Sequence, residues 1–122
     1  MDCQEDLNYE ISFYEDILKD NPSQINVLVA LGDAYTKTGR YRDGLKIDKK
    51  LAELKPADPV VYYNLACSYS LLKMPDLSFE ALKKAIGFGY RDFIYMQQDP
   101  DLEFIRKDIR YYELLSACAD NV

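Results

Sequence analysis

The sequence predicts an all-α fold in which antiparallel helices pack in pairs. Apolar residues recur at spacings of three and four, as in Leu7, Ile11, Tyr14 and Leu18, and this spacing places them on one face of a helix. Prolines and glycines interrupt the pattern at points where helices end and restart. We therefore expect about seven helices and no strand.

The composition is that of one globular domain. The chain has 122 residues, of which 48% are hydrophobic and 30% charged, so it is long enough to bury one core. We expect a single domain over residues 1–122. No apolar run is long enough to span a bilayer, and the acidic start MDCQEDLNYE is unlike a secretory signal. These features predict a cytoplasmic protein that does not bind a membrane.

The residue types argue against an enzyme. The sequence contains no histidine, which is the commonest general base and metal ligand. Cys3, Cys67 and Cys118 lie far apart, which indicates free thiols and neither a disulfide framework nor a metal site. No glycine-rich phosphate loop or nucleophile motif occurs. We therefore expect no catalytic residues, no metal, no cofactor and no small-molecule substrate.

The negative charge is concentrated at the start of the chain. The formal net charge is −6, and the whole excess lies in residues 1–20, where Lys19 is accompanied by seven acidic residues: Asp2, Glu5, Asp6, Glu10, Glu15, Asp16 and Asp20. A basic cluster follows at Arg40, Arg42, Lys46, Lys49 and Lys50. It is either a solvated face or a neighbour of the acidic helix, with which it would form ion pairs. Nucleic acid is not an expected partner, because phosphate binding needs an excess of positive charge.

Residue types recur along the chain at a lag of 34 positions. Pro22 and Pro56 are separated by this distance. Four framework positions recur in the same order: Leu28, Leu31, Gly32 and Tyr35 in one copy, and Tyr62, Leu65, Ala66 and Tyr69 in the next. Small residues such as Gly32, Gly44 and Ala66 let neighbouring helices approach closely. A fixed period of this length predicts a stack of two-helix repeats.

These positions resemble the tetratricopeptide repeat (TPR), over about residues 8–90. The resemblance implies a half repeat at 1–22, repeats at 25–58 and 59–90, and a cap at 91–122. It also implies a short right-handed superhelix that ends in capping helices like those of bacterial TPR proteins. Asp48 departs from the pattern, since it stands where the repeat usually has a buried aromatic residue. An ionised carboxylate there must be exposed or paired with a cation.

Local signals predict where the helices begin and end. The expected N-caps are Ser23, Asp58, Asp99 and Asp108, and Thr38-Gly39 is the expected stop of a helix that reaches about Lys37. Helices are also expected over Tyr41 to Leu54, from Pro59, and from Pro75 to about Phe88. Two short final helices are expected to cover the last repeat through Phe93, Ile94, Leu102, Ile105, Tyr112 and Leu115. We further expect Asp33 to be exposed, and a buried framework of Leu31, Tyr35, Leu65, Tyr69 and Leu82.

The resemblance implies that the chain binds another protein. In TPR arrays the first helix of each pair lines a concave groove, which holds a peptide or helix of the partner. The corresponding positions are Asn26, Val29, Asp33, Thr36, Tyr63, Asn64, Cys67 and Ser70. Tyr63 is the expected apolar anchor and Asn64 the expected donor to the partner's backbone. The alternative is a self-associating homodimer scaffold, and the charged outer face is an alternative to the groove as the binding surface.

Overall fold

A computed structural model describes residues 3–119, with side chains placed for residues 5–118. Within these residues the chain forms eight α-helices, one 3₁₀ turn and no strand. The prediction of an all-α fold of packed helix pairs is thereby confirmed. The additional elements lie in the C-terminal segment, where two helices were expected. The side chain of Cys3, which was expected to carry a free thiol, lies outside the described residues.

The chain divides into two compact units between Pro56 and Ala57. The first contains α1 (Cys3–Asp20), α2 (Ile25–Lys37) and α3 (Tyr41–Leu54). The second contains α4 (Pro59–Leu71), α5 (Pro75–Gly87), α6 (Phe93–Gln98), the 3₁₀ turn (Pro100–Leu102), α7 (Glu103–Arg106) and α8 (Ile109–Ala119). The repeat boundaries inferred from the sequence remain a prediction.

The first unit has a core to which all three of its helices contribute. Helix α2 packs against α1 and against α3. Ile11 of α1 is buried with three residues of α2, and this cluster is surrounded by partly buried Leu7, Tyr14, Leu18 and Ile47. The acidic first helix therefore packs through the apolar stripe that the sequence predicted. Full burial of an apolar side chain such as that of Ile11 stabilises the fold by about 1.5–3 kcal/mol.

Helices α2 and α3 approach closely where glycine occupies each helix. A Cβ atom added to Gly32 would lie 3.2 Å from Cγ2 of Ile47, and one added to Gly44 would lie 3.4 Å from Oγ1 of Thr36. Each glycine costs about 1 kcal/mol of helix propensity relative to alanine, and the packing of the two helices offsets this cost. Asp48, the departure from the repeat pattern, is buried beside this contact with 8% of its surface exposed.

Helices α4 and α5 form the main hairpin of the second unit. The hydroxyl of Ser78 donates a hydrogen bond of 2.7 Å to the carbonyl oxygen of Ala66, and both residues are buried. The whole predicted framework is buried, with exposed fractions between 0% and 8%: Leu31, Tyr35, Leu65, Tyr69 and Leu82. Asp33 is exposed, as expected. The helix register inferred from the 34-residue lag is therefore confirmed.

The C-terminal segment covers the α4–α5 hairpin with a different set of residues from the one expected. Leu102 and Ile105 are fully buried as predicted, while Phe93 and Leu115 are half-buried. The prediction was wrong for Ile94 and Tyr112, which are 74% and 61% exposed. Their places are taken by the buried side chains of Met96 and Tyr111. A shift of one or two residues along a helix is enough to turn a side chain from the core to solvent.

Three of the four predicted N-caps are present. Asp58 accepts hydrogen bonds from the backbone N–H groups of Val60 and Val61, at 2.9 and 3.3 Å. Asp99 accepts from Asp101 at 3.0 Å, and Asp108 accepts from Arg110 at 3.0 Å. The prediction for Ser23 was wrong, because Gln24 occupies the N-cap of α2 and makes no side-chain cap bond. Ser23 lies in the preceding turn.

The same turn ends α2, α4 and α5. A residue with a left-handed backbone follows each helix: Gly39 (φ 78°), Lys73 (φ 59°) and Gly89 (φ 118°). In each turn the backbone N–H of the following residue donates a hydrogen bond of 2.8–2.9 Å to the carbonyl oxygen five residues earlier. The donor and acceptor pairs are Arg40 and Tyr35, Met74 and Tyr69, and Tyr90 and Ala85. Gly39 and Lys73 are also 34 positions apart. Lys73 therefore adopts a left-handed backbone conformation that glycine adopts more easily.

We predict that Lys73→Gly stabilises the protein by about 0.5–1 kcal/mol, because relief of left-handed strain exceeds the entropy that glycine adds to the unfolded chain. The reverse change, Gly39→Lys, should destabilise by a similar amount, since no atom beyond the neighbouring residues lies within 4 Å of a Cβ added there and only the backbone is strained. Urea unfolding of both variants measures the difference. A less stable Lys73→Gly variant would contradict the strain argument.

The hydroxyl of Tyr35 joins α2 to α1. It donates a hydrogen bond of 2.8 Å to Oε2 of Glu15, and the guanidinium carbon of Arg40 lies 4.6 Å from the centre of its ring. Burial is the first cause that raises the pKa of Tyr35, and the hydrogen bond and negative charge of Glu15 add to it. Together they raise the pKa from 10.0 to about 12. The neutral phenol is the form that the folded state requires.

We predict that this phenol makes folding pH-dependent in alkali. Because the folded pKa of Tyr35 lies above its unfolded value, its contribution is complete below pH 10 and is lost as the pH rises from 10 to about 12. The free energy of unfolding should therefore fall less steeply over this interval in Tyr35→Phe than in the wild type. Urea titrations at both ends of the interval compare the two slopes, and equal slopes would contradict the assignment.

Candidate functional site

The groove positions predicted on α2 lie on its solvent side with one exception. Asn26 and Asp33 are exposed, and 49% of the surface of Val29 is accessible. Thr36 is half-buried, and its hydroxyl donates a hydrogen bond of 3.1 Å to the carbonyl oxygen of Gly32. The spacing of these residues by three and four places them along one side of the helix. We call Asn26, Val29 and Asp33 the α2 face.

The charge on the α2 face is balanced locally. Oδ2 of Asp33 lies 2.8 Å from Nζ of Lys37, one helical turn away, and both side chains are about 60% exposed (62% and 59%). The hydrogen bond to Asp33 is the main cause that raises the pKa of Lys37. Val29 therefore lies between a neutral amide and an ion pair, with its apolar side chain accessible to a partner.

The corresponding positions on α4 are mostly inaccessible. Tyr63, Cys67 and Ser70 retain 4%, 7% and 1% of their accessible surface. Asn64 alone among the four predicted residues is exposed. The expectation that Tyr63 is an exposed anchor was wrong, because the C-terminal segment of the same unit packs against this side of α4.

Aromatic and polar contacts attach the C-terminal segment to α4. The ring of Tyr90 stacks on that of Tyr63, with centroids 4.2 Å apart and planes inclined by 3°. The hydroxyl of Tyr63 donates a hydrogen bond of 2.7 Å to Oδ2 of Asp99, and Sγ of Cys67 lies 3.7 Å from the same oxygen. Arg106 donates to the carbonyl oxygen of Asp99 at 2.7 Å. Asp99 is thus the centre of a buried network that holds the segment in place.

The network depends on neutral donors around one carboxylate. Burial is the first cause that raises the pKa of the Tyr63 phenol far above its ordinary value, and the hydrogen bond to Asp99 adds to it. Burial likewise raises the pKa of the Cys67 thiol, followed by the negative charge of Asp99. Both groups therefore keep their protons at neutral pH and can donate to Asp99. Such a network is favourable because a buried carboxylate needs several hydrogen-bond donors.

Cys67 and Asp99, together with Asp101, have side chains of the types that bind metal ions. One potential ligand atom from each of Cys67, Asp99 and Asp101 lies within 4.8 Å of the others. A thiol binds a metal as its thiolate, whereas Cys67 is held in its protonated form. Asp99 accepts from Tyr63 and from the backbone of Asp101. The arrangement is better suited to hydrogen bonding than to metal coordination.

Sequence reasoning missed the role of Tyr90 and Asp99 as partners of α4. In the sequence, Tyr90 stands where a third repeat proline would be, and Asp99 was predicted only as an N-cap. Both lie at or beyond the end of the 34-residue pattern, where the repeat gives no register. The chemistry of Asp99 could have indicated this second role, because an N-cap carboxylate has two oxygens and each can accept a hydrogen bond. Oδ1 caps the 3₁₀ turn and Oδ2 accepts from Tyr63.

A shallow cavity lies between α4 and α5. Its volume is about 90 Å³, below the range of about 300–1,000 Å³ that is usual for small-molecule sites. The lining residues are Tyr62, Leu65, Tyr69, Leu77, Glu80, Ala81 and Lys84. Glu80 is the only carboxylate among them, and it lies 3.9 Å from Nζ of Lys84. The cavity therefore offers no carboxylate pair for acid–base chemistry.

The basic cluster of the first unit lies largely on the surface. Arg40, Arg42, Lys46 and Lys49 are exposed, and Lys50 is half-buried. Arg40 pairs with Asp43 at 2.9 Å, three residues away on the same chain segment. On α1, Lys19 pairs with Asp16 in the same way, at 3.1 Å. Charge pairing between the acidic and basic helices stays a prediction.

Paired helices, small residues at their contacts and an exposed helix face define the class of a helical-repeat module. The tetratricopeptide repeat family model matches residues 59–88. This match confirms the resemblance found in the sequence: residues 59–88 form a tetratricopeptide repeat. Repeats of this family indicate a non-catalytic module for protein–protein interaction. None of the described helices combines the length and the apolar character needed to cross a membrane.

A curated relative matches more than two thirds of the chain. The chain is 36% identical over 87 residues to a chloroplastic protein of Arabidopsis thaliana. The matched region is 69% of this chain and 26% of that protein. The chain thus corresponds to about a quarter of its relative's length.

We predict that Tyr63→Phe destabilises the protein by about 1–3 kcal/mol, because it removes a donor from the buried Asp99 carboxylate while keeping the stacked ring. Tyr112→Phe is the matched control, since the same hydroxyl is removed from a side chain that is 61% exposed. Thermal and urea unfolding measure both variants. Equal stability of the two variants would mean that the Tyr63 hydrogen bond contributes nothing.

Proposed function

We propose that the α2 face of the chain binds a peptide segment or a helix of another protein. The observation that carries this proposal is the exposure of Val29, at 49%, between Asn26 and Asp33 on a helix that is otherwise packed on both neighbours. The repeat family supports protein binding in general. The exposure of Val29 is the reason for choosing this face.

The chemistry of the α2 face favours a partner with one apolar side chain and free backbone polar groups. Val29 supplies the apolar contact. The Asn26 amide can donate to and accept from a peptide backbone. The Asp33–Lys37 ion pair offers charges of both signs at the edge of the face, which favours orientation of the partner more than raw affinity.

On α4 we propose a contact through Asn64, the exposed member of the predicted set. Tyr63, Cys67 and Ser70 were part of that set, and their burial favours an indirect role. Through Asp99, Tyr63 and Cys67 hold α4 against the C-terminal segment and so fix the orientation of Asn64. The notion that Tyr63 itself anchors the partner is therefore replaced by anchoring through Val29.

The alternative proposal is a homodimer scaffold. It is favoured by Ile109 and Tyr112, which are 71% and 61% exposed and lie three residues apart on α8. Two such side chains on one helix face are suited to self-association. Location in the cytoplasm also remains a proposal, because the name of the relative places that protein in the chloroplast.

We predict that a photo-crosslinking residue at position 29 captures the physiological partner, whereas one at Lys46, on the basic outer side of α3, does not. Val29→Asp should weaken binding of the captured partner by about tenfold, the cost of placing a charge opposite an apolar contact. Lys46→Asp is the matched control, since it introduces the same side chain at an exposed site.

Mass spectrometry identifies the captured protein, and titration of the purified partner gives the affinities. Crosslinking from Lys46 but not from Val29 would move the site to the outer charged side. Crosslinking of the chain to itself would favour the homodimer.

A further inference from the structure

The outer side of α1 carries large aromatic residues exposed to solvent. Tyr9 is 79% exposed and Phe13 is 57% exposed. They are four residues apart, and Ile17 continues the series in a half-buried position. This second apolar stripe lies on a different side of the helix from Leu7, Ile11, Tyr14 and Leu18, which pack into the core. We call Tyr9, Phe13 and Ile17 the outer stripe of α1.

A helix with two apolar stripes is suited to packing on two sides. Single exposed apolar residues are common on protein surfaces, but an aligned aromatic pair is the kind of feature that dominates binding interfaces. The inner stripe has its partner in α2. The outer stripe is accessible over most of its aromatic surface.

Acidic residues flank the outer stripe. Asp6 lies three residues before Tyr9, and Asp16 lies three residues after Phe13, followed by Asp20 one turn later. All three are exposed. Asp16 is paired with Lys19, the sole basic residue of α1, so the remaining charge around the stripe is negative. An incoming surface must therefore be apolar at its centre and positive at its edges.

We propose that the outer stripe of α1 docks an amphipathic helix of another protein, whose apolar side is flanked by lysine or arginine. Tyr9 and Phe13 would insert between the partner's apolar side chains, while Asp6, Asp16 and Asp20 would face its basic residues. This is a second interaction surface, separate from the α2 face. It would exist whether or not that face binds a partner.

A second copy of the chain is a poor occupant. Two α1 helices would bring acidic residues together, which opposes pairing at neutral pH. Helix α3 supplies positive charge at Arg42, Lys46 and Lys49. Among its described residues, however, Leu54 is the one large apolar side chain with substantial exposure, at 37% of its surface. Helix α8 exposes apolar residues, but its Arg110 is engaged with Asp76 and Asp108. Helices α3 and α8 therefore lack the combination that the outer stripe requires.

The test uses a synthetic amphipathic helical peptide with a leucine stripe flanked by lysines. Its matched control has the same leucines flanked by glutamates. Binding of each labelled peptide to the whole chain is followed by fluorescence anisotropy. We expect saturable binding of the lysine peptide that weakens as salt is added, since salt screens the acidic residues, and much weaker binding of the glutamate peptide.

Two variants separate the apolar and the charged contributions. The double change Tyr9→Ser and Phe13→Ser should lower the affinity for the lysine peptide by about tenfold or more. Circular dichroism should show an unchanged fold, because both side chains are exposed. Asp6→Asn with Asp16→Asn and Asp20→Asn leaves the aromatic residues in place and should remove most of the salt dependence. Val29→Asp, on the α2 face, should leave this peptide's affinity unchanged.

Three results would overturn the proposal. One is wild-type affinity in a folded Tyr9→Ser, Phe13→Ser variant, and another is equal binding of the lysine and glutamate peptides. The third is a wild-type dimer in sedimentation that this variant dissociates, which would make a second copy the occupant. If the proposed binding on the α2 face were wrong, the result would differ: no partner would be crosslinked from position 29, while the peptide would still bind on α1.

Discussion

The close contact between the two helices of each hairpin is the constraint on which the rest of the structure depends. In the first unit it is made by Gly32 and Gly44, where an added Cβ would meet Ile47 or Thr36 at 3.2–3.4 Å. At the same lag in the second unit, Ala66 and Ser78 are buried, and a hydrogen bond joins their helices. Close approach lets the backbones themselves form the contact, so larger residues on either side are held in fixed directions. The buried positions of the framework follow from that geometry.

Fixed helix faces explain why the 34-residue lag predicts the burial of the framework residues. A residue that occupies a framework position in one pair meets the same neighbours in the next, whatever its exact identity. Lys73 shows how strong this constraint is, since it adopts the left-handed backbone that Gly39 and Gly89 adopt more easily. The turn is retained because the hairpin geometry requires it, and the side chain adapts to the turn.

The sequence predicted the helices, most of their ends and the core through local signals: spacing, caps and repeat lag. It did not predict what lies on the outer side of a framework helix, because a non-repeating segment decides that. Tyr63 was expected to be exposed on the basis of the lag alone, but Tyr90 and Asp99 reach it from a segment without a register. Ser23 failed as an N-cap for a smaller reason, since helix starts inferred from sequence are uncertain by a residue or more.

Burial of the α4 positions changes where a functional surface can be. Tyr63 and Cys67 keep their protons and donate to Asp99, so the chemistry at this side of α4 is used to hold the chain's own C-terminal segment. Residues used in this way contribute to stability and are unavailable to a partner. The most exposed large apolar side chains among the described residues of the first unit are instead Val29 on α2 and the aromatic pair on α1. Because Tyr9 and Phe13 lie among acidic residues while Val29 lies between an amide and an ion pair, the two surfaces should select partners of different charge.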